Sequence, residues 1–206
     1  PRRPVALRLV AIAGLGAAVR ESDQRAFMRL LRQSKAQAAL LIAMADLGDV
    51  WTVDDVTSAL TRFADATLST AIDWLLLDGA ASGKLSLADP SAPSRNCGYV
   101  ALAMGKHGAF ELNYSRDIDL IILFAPQMAP LTPGAEHATF FVRFTKRLVA
   151  LLQGQGPLPA REAFAEHTNV KEHEQKALRT PRFKFIVSIP RKSSSATGES
   201  YEIYDL

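Results

Sequence analysis

Asp117 and Asp119 are the residues whose type and spacing most directly suggest chemistry. They open the run DIDLIILF, residues 117–124. In a strand, residues two apart project on the same face, so the two carboxylates converge on one point while Ile118 and Leu120 turn toward a core. Two carboxylates held together without a cation repel, and one of them is driven to keep its proton. With Mg²⁺ between them and a nucleotide phosphate, that repulsion becomes ligand charge for a hard, oxygen-seeking ion. Such a site activates an attacking oxygen and stabilises charge on a phosphoryl group.

A lone D-x-D is most simply a solvated pair at the start of a strand. The residues before it change that reading. A short apolar run, Tyr99 to Met104, leads into Gly105-Lys106-His107-Gly108, where glycines let backbone N–H groups approach phosphate closely. Ser115 adds a hydroxyl beside the acidic pair, and Lys106 adds positive charge. His107 reads as a loop residue rather than a catalyst, and Glu111 as a surface or locally hydrogen-bonded one.

These residues need elements to hold them. From Ser22 to Leu47 the apolar positions Phe27, Leu30, Leu31, Ala38, Leu41, Ile42 and Ala45 fall on one face of a helix. Ser22 is placed to cap its start and Gly48 to stop it. Thr52 and Asp55 form a capping-box pattern, with Trp51 where a hydrophobic staple begins. Val56, Leu60, Phe63, Ala64, Leu68, Ala71, Trp74 and Leu75 continue a second helix, which Gly79 and Gly83 are expected to close. The short link predicts an antiparallel pair. Residues 79–98 read as a loop, Tyr99 to Met104 and Asp117 to Phe124 as strands, and Ala138 to Leu152 as a third amphipathic helix. Beyond Gln153, residues 162–178 could form a polar helix, Phe183 to Ile189 a strand, and residues 193–198 a polar linker. The expected fold is α+β: a helical hairpin, then a partial sheet with flanking helices. It divides into a helical region, 1–98, a core, 99–153, and a tail, 154–206.

The chain has 206 residues, 48% hydrophobic and 22% charged, with a net charge of +3. That charge is small and its lysines and arginines are spread out, which argues for neither nucleic acid nor an anionic membrane as partner. Cys97 is the one cysteine, so an intrachain disulfide is excluded and a cysteine zinc site disfavoured; a cytosolic location fits. Cys97 reads as an ordinary, partly buried thiol. Val5 to Val19 resembles a signal peptide, but Arg8 interrupts it and Arg20 ends it, short of the ~18 uncharged apolar residues of a membrane span. The chain starts Pro1-Arg2-Arg3-Pro4 without Met, as a start inside a longer protein would.

The order strand, G-x-x-G, E-L-N, S-x-D-x-D-L resembles the polymerase-beta-like nucleotidyltransferase superfamily. Within it, residues 20–153 are similar to the bifunctional glutamine synthetase adenylyltransferase and adenylyl-removing enzymes, which carry G-K-x-G-x-x-E-L-x-x-S-x-D-x-D-L in each of two catalytic halves. The run from Asp46 to Thr57 resembles the region before the first of these. Asn113 and Ile118 favour the adenylyl-removing half, since the adenylating half usually reads E-L-G and D-L-D. The resemblance implies phosphorolysis of an AMP–tyrosine bond on glutamine synthetase, releasing ADP, with ATP-dependent adenylylation as the paired reaction. It implies that Asp117 and Asp119 bind the metal, that Gly105, Lys106, Gly108 and Ser115 hold phosphate, and that the signalling protein PII is a further partner.

The resemblance also implies a third metal carboxylate on a later strand, in a segment resembling D-L-R-L-R-P. This chain instead reads GQGPLPAREAFAEHTNVKEHEQKALRT from Gly154. A two-carboxylate site holds metal more loosely, so a fragment or altered form with little activity alone is expected. Two other readings share these residues: a nucleotidyltransferase acting on a small molecule or RNA, and a non-catalytic module that docks glutamine synthetase or PII.

Overall fold

Helix α1 spans Gln24–Leu47 and buries Phe27, Met28, Leu31, Ser34, Ala38 and Ile42 along one stripe. In this computed structural model, residues 14–114, 118–125, 128–133, 136–153, 183–191 and 200–205 are described. Asp23, not Ser22, caps α1: its carboxylate accepts the Ala26 N–H at 2.9 Å. The helix starts one residue later than its apolar spacing suggested, and a carboxylate at that end also favours the helix dipole. Gly48 closes the helix as expected, but the left-handed residue is Asp49, at φ 51°.

Helix α2 spans Val53–Ala81, and both halves of the capping box form: Thr52 Oγ1 accepts the Asp55 N–H at 3.2 Å, and Asp55 Oδ2 accepts the Thr52 N–H at 3.2 Å. Trp51 packs against the small cluster of Ile42, Val56 and Ala59, where a staple residue belongs. Gly79 does not end the helix. It is buried inside it, where a Cβ would come within 2.8 Å of Leu85, so its smallness lets the following loop fold back onto α2. Gly83, at φ 72°, makes the stop. The Lys84 N–H bonds to the Gly79 carbonyl and the Gly83 N–H to the Ala80 carbonyl, each at 2.9 Å, the bond pair of a Schellman motif. Phe27, near the start of α1, stacks on Trp74, near the end of α2, at 4.6 Å, while Ile42 and Val56 meet at the other end. The pair is antiparallel.

Strand β1 (Tyr99–Met104) leads into a single helical turn, α3 (Gly105–Gly108). Strand β2 (Ile118–Phe124) runs antiparallel to β1, with Met104 opposite Asp119 and Tyr99 opposite Phe124. Helix α4 (His137–Leu152) follows. Strands β3 (Phe183–Arg191) and β4 (Ser200–Asp205) complete a four-stranded sheet in the order β1-β2-β3-β4, with β2 and β3 parallel and the outer pairs antiparallel. The fold is α+β, as expected. The expected polar helix and the polar linker lie outside the described residues. Strand β4 was not foreseen.

One face of the sheet packs on helices. Leu120, Ile122 and Phe124 are buried with Phe141, Phe144 and Leu148 of α4, and this core continues into Phe27, Trp74 and Leu75 of the hairpin. Phe124 and Phe141 lie 4.7 Å apart, and the Tyr99 phenol shares a 2.9 Å hydrogen bond with Thr145. On α4, Arg147 pairs with Asp78 at 2.8 Å and lies over the Trp74 ring. Alternation leaves Val100, Leu102, Met104 and Asp119 exposed on the opposite face.

Candidate active site

The site begins where β1 stops. Gly105 takes φ 54°, a left-handed conformation that costs glycine nothing, and this bends the chain sharply into the turn. A Cβ at Gly105 would lie 3.2 Å from Asp119 Oδ2, so the missing side chain leaves a cradle beside that carboxylate. At the far end of the turn, a Cβ on Gly108 would lie 2.6 Å from the Ala103 carbonyl oxygen. Gly105 is thus required by its left-handed backbone, and Gly108 by its close approach to the strand. Lys106 is exposed between them. The Glu111 N–H bonds back to the Lys106 carbonyl at 2.8 Å, and the Glu111 side chain is exposed.

Of the expected site residues, Gly105, Lys106, Gly108 and Asp119 are brought together at one end of the sheet. Ser115 and Asp117 lie outside the described residues. Among the described residues no cluster of three or more metal-ligating side chains forms.

A family model described as glutamate-ammonia ligase adenylyltransferase matches residues 8–159. The chain belongs to that family. Its curated relatives are named bifunctional glutamine synthetase adenylyltransferase/adenylyl-removing enzyme. The protein of that name from Bradyrhizobium diazoefficiens is 50% identical over 138 residues, 67% of this chain and 14% of the relative. That from Xanthobacter autotrophicus is 46% identical over 142 residues, 69% of this chain and 14% of the relative. That from Brucella suis is 41% identical over 144 residues, 70% and 14% respectively. The chain thus spans about 14% of the length of the curated relatives it matches. No solved structure matches it.

Against the family's expected third carboxylate, the sheet register is informative. Strand β3 lies directly beside β2, and its residue paired with Asp119 is Lys184. The sequence of β3, FKFIVSIPR, contains no Asp or Glu. Glu202 and Asp205 belong to β4, which by ordinary strand spacing lies about 10 Å from β2. Asp205 pairs with Ile186, which in turn pairs with Ile121.

Three hydrogen bonds tie the turn and the loop after it to the helical hairpin. His107 is buried at 2% exposure, and its Nε2 lies 2.8 Å from Asp65 Oδ1 on α2. The Leu112 N–H reaches Thr61 Oγ1, one turn earlier on the same helix, at 3.4 Å. Tyr114 donates to Asp46 Oδ2, near the end of α1, at 2.8 Å. Residue spacing alone missed all three helix partners. Thr61 carried one signal, a hydroxyl residue set among apolar helix positions; Asp65 and Asp46 look like any solvated helix acid.

Cys97 is buried, its thiol directed at the Tyr99 carbonyl at 3.7 Å, and burial pushes its pKa up, which suits an inert thiol. Among the described residues no helix is long and apolar enough to cross a membrane.

Proposed function

We propose that this chain carries the nucleotide- and phosphate-handling part of an adenylyl-removing centre acting on AMP-modified glutamine synthetase. The observation that carries the reading is the cradle at Gly105, which sets a glycine turn directly against the Asp119 carboxylate. Oxygen donors of this kind suit Mg²⁺, which typically binds through one or two carboxylates, substrate phosphates and retained waters. Asp119, joined by Asp117, would hold the ion; when bound, it would neutralise charge on the phosphoryl oxygens. Gly105 and Gly108 let the nucleotide phosphates approach the backbone, with Lys106 and Ser115 adding charge and a hydroxyl.

In the reaction, an oxygen of inorganic phosphate attacks the AMP phosphorus. The phosphorus–oxygen bond to the tyrosine breaks, the tyrosine oxygen takes up a proton, and the new phosphorus–oxygen bond makes ADP. The E-L-N and D-I-D forms, at Asn113 and Ile118, support removal over transfer. Lys184 at the register position beside Asp119 supports low activity for this chain alone. Glutamine synthetase is the proposed partner, with PII as regulator and the cytoplasm as location.

The test is to incubate the 206-residue protein with AMP-modified glutamine synthetase, phosphate and Mg²⁺ and to measure ADP. Slow ADP release, abolished by Asp119→Asn, is expected. Release of pyrophosphate from ATP with unmodified glutamine synthetase would reverse the assigned direction. Binding of glutamine synthetase that survives Asp117→Ala and Asp119→Ala, with no turnover by the parent, would make the chain a docking module.

A further inference from the structure

We infer that His107 is a positioning residue, whose bond to Asp65 fixes the glycine turn against the helical hairpin; this rests on the reading of the turn as a phosphate cradle. An ionised carboxylate only accepts, so the 2.8 Å contact assigns the proton to Nε2. The other ring nitrogen, Nδ1, is buried without a hydrogen-bond partner among the described residues. A ring placed only to fill space would not require a nitrogen at either position, and burying an unpaired one carries a cost. What histidine adds over leucine here is the single bond to Asp65.

That bond is placed where it controls geometry. Asp65 and Thr61 are four residues apart on α2 and form two posts on one face. The first holds the middle of the turn, the second the chain five residues later. At the turn's start, Gly105 sits over Asp119; at its end, Gly108 presses on the Ala103 carbonyl. Rotation about these contacts would carry Gly105 and Lys106 away from the carboxylate, and the His107–Asp65 bond opposes it. Asp65 is roughly half exposed, so the anchor can be altered without opening the core.

The experiment is calorimetric titration of the 206-residue protein with Mg·ADP, paired with thermal melting. His107→Leu keeps the volume and loses the bond; affinity is expected to fall roughly tenfold, as for one charge-assisted hydrogen bond. His107→Gln places an amide N–H near the position of Nε2 and is expected to restore most of the loss. Asp65→Ala should reproduce the leucine effect, and the double variant should be no weaker than either single one. In nucleotide-free protein, amide exchange over residues 105–111 should rise in both single variants. If His107→Leu does not fold, Asp65→Ala decides the matter: unchanged affinity and exchange overturn the inference. A parent that binds Mg·ADP and a folded His107→Leu that binds equally well overturn the inference while the cradle stands. A parent with no affinity for Mg·ADP overturns both.

Discussion

The phenol of Tyr114 donates to Asp46 Oδ2 at 2.8 Å across 68 residues of sequence, fastening the loop beyond the glycine turn to the end of α1. Desolvation, then this hydrogen bond, raise the tyrosine's pKa above its ordinary 10.0. A group whose folded pKa is raised stabilises the fold below its unfolded pKa and stops doing so as pH climbs through the folded value. The tie is therefore intact at neutral pH and lost above about pH 10. Tyr114 is 50% exposed, so Tyr114→Phe should cost less than about 1 kcal/mol. Difference titration of tyrosinate absorbance between parent and variant checks this; a midpoint below that of free tyrosine would contradict it.

Gly108→Ala should disable the turn. Its new methyl would lie 2.6 Å from the Ala103 carbonyl oxygen, on a strand residue held in register opposite Leu120. Overpacking of that kind costs about 1–3 kcal/mol, and here it displaces the cradle as well. Gly16→Ala meets no atom within 4 Å and serves as the comparison. Melting temperature and Mg·ADP affinity should both drop in the first variant, and neither in the second.

Phe27→Ala should be among the most damaging single changes. Phe27 is fully buried and stacks on Trp74, whose indole N–H donates to the Glu21 carbonyl at 2.7 Å. Deleting such a ring costs about 3–5 kcal/mol. Urea unfolding measures it; a loss under about 1 kcal/mol would mean the stacked pair does not anchor the hairpin.

Cys97 should resist alkylation in the native state. Its burial and raised pKa leave little accessible thiolate near pH 8. Iodoacetamide labelling followed by mass spectrometry should be at least about 10-fold faster after denaturation in urea. Equal rates would place the thiol at the surface.

Much of the scaffold was legible because it is encoded locally. The capping box at Thr52 and Asp55 needs three residues of separation, and the stripe on α1 needs only helical spacing. What escaped was decided by tertiary contact. Gly79 looks like a helix stop but serves the approach of Leu85, and His107 looks like a loop residue because its partner is 42 positions away. Strand β4 escaped because its run SYEIYD is polar and short, and its pairing with β3 is not written in its own pattern. Motif spacing suggested that Gly105 and Gly108 lie near Asp119, and they do, whereas nothing in it showed the bonds from His107 and Leu112 to α2.

Among the described residues, hydrogen bonds from His107, Leu112 and Tyr114 join the turn and its following loop to the hairpin, so the two parts share a portion of their stability. On the proposed reading of the turn as a phosphate cradle, a nucleotide that ordered the turn would also favour the settled arrangement of α1 and α2. By linkage, a partner that gripped those helices in that position would then raise the turn's affinity for the nucleotide by the same factor. On that reading the hairpin would be a handle on the turn, and a partner would not need to touch a phosphate to change how tightly one is held.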